Sequence, residues 1–451
     1  MISRRFSFRV LRRAKPKRET VRSVAPSDAS AKAPVYATVA VGSGNAQRWV
    51  AAYSSAARLE TRSLVGTLPF LLVLALWAAM AGSEISSSVW NGEYGSTSYP
   101  ATTLVIDALR QPLALIGMIL LVYSGAEMFW RERRFRFASI LDTTPVPGAV
   151  VIAAKWTALV ALVACLIATG IAVGVAIQLA AGHLNLEPLV YLSFACVAGI
   201  PLALYAAAAV FVHSLSPNKY AGMVFVLLFL VFAQRASMLG LEHPLWRFAS
   251  ASPVRFTDMN GIAGDIVPFA WFMLFWTAVA ALFVLAAAEL WRSVGFGVGE
   301  RVRLLARRTT RTGNSLAAAI LVVAIATGGW ILFNTNVLNA NTTREDVLDW
   351  QGDYERTYGQ FEDTPQPIIT TVDVRLDLFP EERRYRLAGS YTLVNDTPSA
   401  IATVLVAVRR EASVERVSVE GGDLAATDAR FGMYRFELAA PLEAGARTRL
   451  D

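Results

Sequence analysis

Apolar residues gather along this chain into seven blocks of about 18 or more residues, enough for a helix rising 1.5 Å per residue to cross roughly 30 Å of hydrocarbon. They run approximately Leu64–Gly82, Leu104–Trp130, Trp156–Ala181, Leu189–Val212, Tyr220–Leu239, Ile266–Trp291 and Leu316–Phe333. Polar or Gly/Ser/Pro-containing turns separate them, such as 84–100, 182–188 and 214–219. The pattern predicts a mainly α, polytopic bundle of about seven transmembrane helices.

Beyond Phe333 the pattern changes. Residues 334–361 are polar with charges at near-helical spacing and read as a short helix or linker. From Ile368 the period becomes two: Val372, Val374, Leu376 and Leu378 alternate with Asp373, Arg375 and Asp377, which predicts a half-buried strand. Pro380–Arg383 forms a turn, and Tyr385, Leu387, Tyr391 and Leu393 continue the alternation. Further strands are expected near 402–408, 414–419 and 433–438, together a partial antiparallel β domain.

Charge supplies an orientation. The net charge is +7, and charged residues make up 17% of the chain, well under the quarter typical of soluble domains. Arginines concentrate in the N-terminal tail, in Arg131–Arg136 and between Arg292 and Arg311, loops that alternate on one side of the bundle. Basic loops stay in the cytoplasm, so the expected location is a bacterial inner membrane, with the N-terminus cytoplasmic and the segment after Phe333 outside. The same distribution argues against nucleic acid as a partner. The opening Ser3-Arg4-Arg5-Phe6 resembles a twin-arginine export signal, but the basic, Ala/Ser-rich stretch that follows reads as a disordered tail.

Candidate chemistry is sparse. HExxH, Walker A, GxSxG and GxGxxG in its strand–turn–helix setting are all absent, which leaves the chain without a catalytic or cofactor-binding motif of its own. Cys165 and Cys196 lie inside apolar blocks and read as small apolar fillers. His183, His213 and His243 fall in separate loops or at helix ends, on different sides, so they do not form one metal site. Intramembrane charge marks function in membrane proteins; here Glu127 and Glu289 lie close to helix ends and read as interface anchors beside Arg131 and Arg292. Asp107 and Arg110 share a helix face at a spacing that allows a pair. With uncharged helix centres, an ion-coupled carrier is disfavoured. The basic stretch from Arg131, the apolar Ile140-Leu141 and the stop Pro145-Val146-Pro147 suggest a short amphipathic helix after the second span, either a positive-inside anchor or a docking element.

The stretch Glu127–Pro147, with Trp130-Arg131-Glu132-Arg133 and Asp142-Thr143-Thr144-Pro145-Val146-Pro147, resembles the loop between the second and third helices of ABC-2 type permeases. The chain further resembles bacterial proteins in which such a permease is fused to an M1-type aminopeptidase module. Asp258-Met259-Asn260-Gly261, Asn334–Asn339, Tyr354–Tyr358, Pro365-Gln366-Pro367, Phe379–Arg383, Gly389 and Asn395 carry that resemblance over residues 60–451. It implies a tail (1–57), a six-helix permease unit (58–292), a basic loop with a seventh helix (293–335), an extracytoplasmic linker (336–365) and the start of the M1 N-terminal β domain (366–451). The peptidase motifs are missing, so the chain reads as a fragment or split version of that arrangement.

The leading expectation is therefore the permease subunit of an ABC-type exporter. The resemblance implies a separate cytoplasmic ATPase as partner, ATP bound through that partner, and a second permease half or a homodimer. Its coupling loop would be Glu127, Arg131, Glu132, Arg133, Arg134, Asp142, Pro145 and Pro147. The alternatives are the membrane anchor of an M1 zinc aminopeptidase, with zinc only in a downstream peptidase domain, and a membrane scaffold presenting a β domain.

Overall fold

The computed structural model describes residues 46–451 except 92–94, 143, 145, 258–260, 263, 292–298, 301–302, 304–310, 340–341, 383 and 410–411. Of the residues first assigned to the tail, 1–45 lie outside the described set. Residues 46–57 do not belong to a tail: they open helix α1 (Ala46–Val65). This helix is too polar to span, and its Tyr53 hydroxyl meets Thr157 Oγ1 at 2.7 Å.

Among the described residues, seven helices are long and apolar enough to cross a membrane. They are α2 (Leu68–Trp90), α3 (Thr102–Arg134), α5 (Gly148–Ala180), α6 (Pro188–Leu215), α7 (Lys219–Arg235), α8 (Ile266–Leu290) and α9 (Arg311–Leu332). A five-residue helix, α4 (Ala138–Asp142), lies between α3 and α5. The α7 span continues through a 3-10 turn to Leu239, and the α9 span through a π-helical segment to Leu338.

Apolar side chains surround each span, so packing rather than amphipathicity selects the buried face. Trp77 is fully buried and donates its indole N–H to the Leu166 carbonyl at 2.8 Å. In α6, Ala206–Ala209 form a run of buried small residues, while Leu72, Leu76, Leu227 and Leu228 remain outside, suited to lipid. Helix α3 has 33 residues. At 1.5 Å each it is about 50 Å long, well beyond the hydrocarbon thickness, and its basic C-terminal turn packs against α1 and the first turns of α5.

After α9, the polar segment forms α10 (Arg344–Tyr358), opened by a capping box between Thr343 and Asp346. Six strands follow: β1 (Ile368–Phe379), β2 (Arg384–Val394), β3 (Ile401–Ala407), β4 (Gly422–Asp428), β5 (Met433–Leu442) and β6 (Arg447–Leu450). They form two antiparallel three-stranded sheets, ordered β1-β2-β6 and β3-β5-β4, around a small core that includes Leu393, Val404, Val419 and Phe436.

Two strand expectations change. Residues 414–419 form no strand: Ser418 and Glu420 bond to Asp451 and Arg449, and Gly421, at φ 70°, turns the chain back into β4. β1 exists at the expected place, but Val372, Val374, Leu376 and Leu378 are 42–65% exposed, so neither of its faces is buried.

Two residues that carried the resemblance have definite structural tasks. A Cβ at Gly389 would strike the β1 backbone at Asp373 and Val374. Asn395, fully buried, donates to the Ser399 and Leu442 carbonyls and accepts from the Thr397 N–H and hydroxyl.

Candidate functional site

Two of the coupling-loop candidates, Arg131 and Glu132, sit where α1, α3 and α5 meet, around a residue that sequence reasoning missed. Lys155 is fully buried. Its ammonium donates to Glu132 Oε1 at 2.6 Å, Glu60 Oε1 at 2.9 Å and the Met128 carbonyl at 3.1 Å. Arg131 closes the other side, donating to Glu60 Oε2 at 2.6 Å and to the Ser63 hydroxyl. Two cations and two carboxylates make a formally neutral cluster, the condition under which buried charge is tolerable. The Trp291 ring lies 5.4 Å from the Lys155 ammonium.

Lys155 escaped notice because it stands one residue before the apolar block beginning at Trp156. The available signal was a single charge inside Gly148–Ala180, a span that is otherwise uncharged. Glu60 was missed because α1 was.

Glu127 does not pair with Arg131, as expected, but with Lys219 at the start of α7 and with Arg134 at 3.1 Å. Burial of Arg131 against α1 leaves Glu127 to the exposed face of α3 and to α7. The partner proposed for Glu289, Arg292, lies outside the described residues. Asp107 and Arg110 form no direct ion pair, although their charges interact: Arg110 donates to the Val254 carbonyl at 2.8 Å.

The end of α3 is shaped by backbone bonding. Arg136 N–H bonds the Arg133 carbonyl at 3.0 Å and Phe137 N–H bonds the Glu132 carbonyl at 2.7 Å, with Arg136 at φ 56°. This is a Schellman stop with arginine in the left-handed position usually given to glycine. The chain then turns into α4, and Phe135, Phe137 and Ile140 stand 71%, 48% and 57% exposed. Arg133 packs over the Trp130 ring at 5.3 Å, and Arg134 lies over Phe135. Pro147 is the N-cap of α5. Of the other candidates, Pro145 lies outside the described residues, as does the side chain of Asp142.

Gly148 seats α5 against α8, because a Cβ there would meet the Ala288 carbonyl at 2.5 Å. The structure thus brings Glu127, Arg131, Glu132, Arg133 and Arg134 to one end of the bundle, but divides them. Arg131 and Glu132 are locked into the interior cluster, while Arg134 and the apolar tip face outward.

The three histidines are separate, as read from the sequence. His183 Nδ1 bonds the Tyr99 hydroxyl at 2.6 Å and His243 Nε2 bonds Thr335 Oγ1 at 2.9 Å. His213 stacks on Phe129 at 5.9 Å, with neither ring nitrogen bonded. No group of three or more His, Cys, Asp or Glu suited to a metal occurs among the described residues. No protein-family model, curated protein or solved structure matches this chain.

Proposed function

We propose that this chain is the permease subunit of an ABC-type exporter, driven by a separate cytoplasmic ATPase that docks on the α3–α4 corner. The observation that carries the reading is the contrast within that corner. An apolar, basic-edged tip (Arg134, Phe135, Phe137, Ile140) projects from a base fixed by a buried charge cluster. A tip of this kind suits transmission of a partner's movement: it is exposed enough to be gripped, and α3 passes the displacement into the bundle as a rigid rod. The resemblance of Glu127–Pro147 to the permease loop supports the same reading. With basic loops held inside, the corner faces the cytoplasm of a bacterial cell, and α10 with the β domain lies outside.

Ile140→Glu and Phe137→Glu test the docking directly, since both side chains are exposed. The expected outcome is co-purification of an ATPase with the wild-type chain in mild detergent, and its loss from the variants at unchanged melting temperature. A wild-type chain that retains no ATPase contradicts the proposal. Glu132 is a poor choice for such a test, because its removal unbalances Lys155.

The β domain supports a second reading, the membrane anchor of an M1-type zinc aminopeptidase. It rests on the structural tasks found for Gly389 and Asn395, and a reading frame continuing into HExxH is the discriminating observation.

A further inference from the structure

At the opposite end from the α3–α4 corner, a cavity of about 300 Å³ opens between α3, α6, α7, α8 and the segment 247–256. Its wall is largely apolar, with Leu113, Phe194, Phe256, Phe269 and Met273. Two cations also line it, Arg110 and Arg247, together with the neutral polar groups Tyr205 and Gln234. Among the described residues no carboxylate lines it: Asp107, one turn from Arg110, is exposed, lies outside the lining and acts on Arg110 only through its charge, without a direct ion pair.

The polar groups are only partly satisfied. Arg110 gives one bond to the Val254 carbonyl, which fixes its guanidinium. The Tyr205 hydroxyl donates to the Phe248 carbonyl at 2.9 Å and accepts from Gln234 Nε2 at 3.2 Å. Arg247 has a buried Nε without a partner, and no ion pair reaches its guanidinium among the described residues. Two prolines lie at the walls within continuous helices: Pro201 of α6 lines the cavity, and Pro112 of α3 sits beside Leu113. Each removes a backbone N–H from its helix.

A partly buried guanidinium without a counter-charge is costly, and an oxyanion relieves that cost through the planar fork of donors. An apolar wall with a few convergent polar groups, at the lower edge of the roughly 300–1,000 Å³ of ligand sites, is the form of a small-molecule pocket. We propose that this cavity binds an amphiphile with a carboxylate or phosphate head, the head held by Arg110 and Arg247 and the apolar body lying along Phe194, Phe269 and Met273.

The site needs no ATPase, so its test stands apart from the docking test. The purified chain in zwitterionic lipid nanodiscs is titrated with radiolabelled dodecanoate and dodecyl phosphate, with dodecanol and dodecyltrimethylammonium as controls. The expected result is saturable binding of the anions alone. Arg247→Gln weakens it by about tenfold or more, with partial recovery in Arg247→Lys. Arg255→Gln, on the same segment but exposed, leaves it unchanged. Phosphatidylglycerol in the nanodisc competes if the natural occupant is a membrane lipid, and does not if it is a free amphiphile. Equal binding of dodecanol, or undiminished binding by a folded Arg247→Gln variant, overturns the proposal.

Discussion

At one end of the bundle Lys155, fully buried, touches two carboxylates, and the second cation, Arg131, completes a neutral set. At the other end the buried polar groups are uncharged. Gln178 donates to the Pro100 carbonyl at 2.9 Å and to Thr102 Oγ1 at 3.3 Å, and accepts from the Tyr191 hydroxyl at 2.5 Å. At the cavity, among the described residues, Arg110 hydrogen-bonds the Val254 carbonyl and feels the charge of exposed Asp107, and the Arg247 guanidinium has no hydrogen-bond or ion-pair partner. The difference separates two uses of charge in an apolar slab. Charges balanced within the chain fix geometry, whereas a cation left unbalanced at a cavity awaits an anion from outside.

The first way to break this comparison is to unbalance the closed end. Lys155→Met leaves Glu60 and Glu132 without their shared cation and is expected to cost about 3–5 kcal/mol in detergent unfolding. Adding Glu132→Leu should recover a substantial part of the loss, because the remaining Arg131 and Glu60 still pair. A Lys155→Met variant that melts like wild type removes the structural role of the cluster.

At the open end, Gln178→Leu strips the donor from two acceptors and the acceptor from Tyr191. The expected loss is about 1–3 kcal/mol, smaller than at the closed end because no charge is stranded. The same unfolding measurement checks it, and an equal or larger loss would reverse the ranking of the two ends.

A gain is expected at the α3 stop. Arg136→Gly relieves a left-handed backbone occupied by a residue with a Cβ and should stabilise by ~1 kcal/mol.

The smallest effect concerns pH. His243 is pushed below its ordinary value of 6.5 by burial and, secondarily, by the charge of Arg247. Its Nδ1 accepts from the Leu245 N–H at 3.1 Å, so its proton resides on Nε2 and faces Thr335. Because the folded value is the lower one, this contribution to stability is fully present above 6.5 and is lost as pH falls through the folded value. Melting temperature should decline over that acidic window, and the decline should flatten in His243→Gln.

The spans were legible because an uninterrupted apolar run admits few other structures at that length. The seven blocks and the seven helices correspond, except that the expected first block began too early: its Leu64 and Val65 belong to α1, and the span starts at Leu68. Helix α1 was not legible: its polar mean and scattered Arg48, Arg58 and Arg62 resemble the tail before it, and its contacts with α3 and α5 are what hold it. β4, Gly-Asp-Leu-Ala-Ala-Thr-Asp, has little strand propensity and is held by pairing with β5. At the candidate site the sequence grouped charges that share one end of the bundle but mismatched the partners. Glu60 and Lys155 are 95 residues apart, and no local pattern links them. That the α3 basic run divides into an interior lock and an outward tip depends on α1, and so was hidden with it.

The claim that matters most is that the outward tip, not the lock, receives the driving partner. ATP hydrolysis by the co-purified ATPase, measured in proteoliposomes with the wild-type chain and with Ile140→Glu, tests it most directly. The account predicts hydrolysis stimulated by the wild-type chain and left at the isolated ATPase's rate with the variant, whose melting temperature is unchanged. Equal stimulation by the two chains would contradict it.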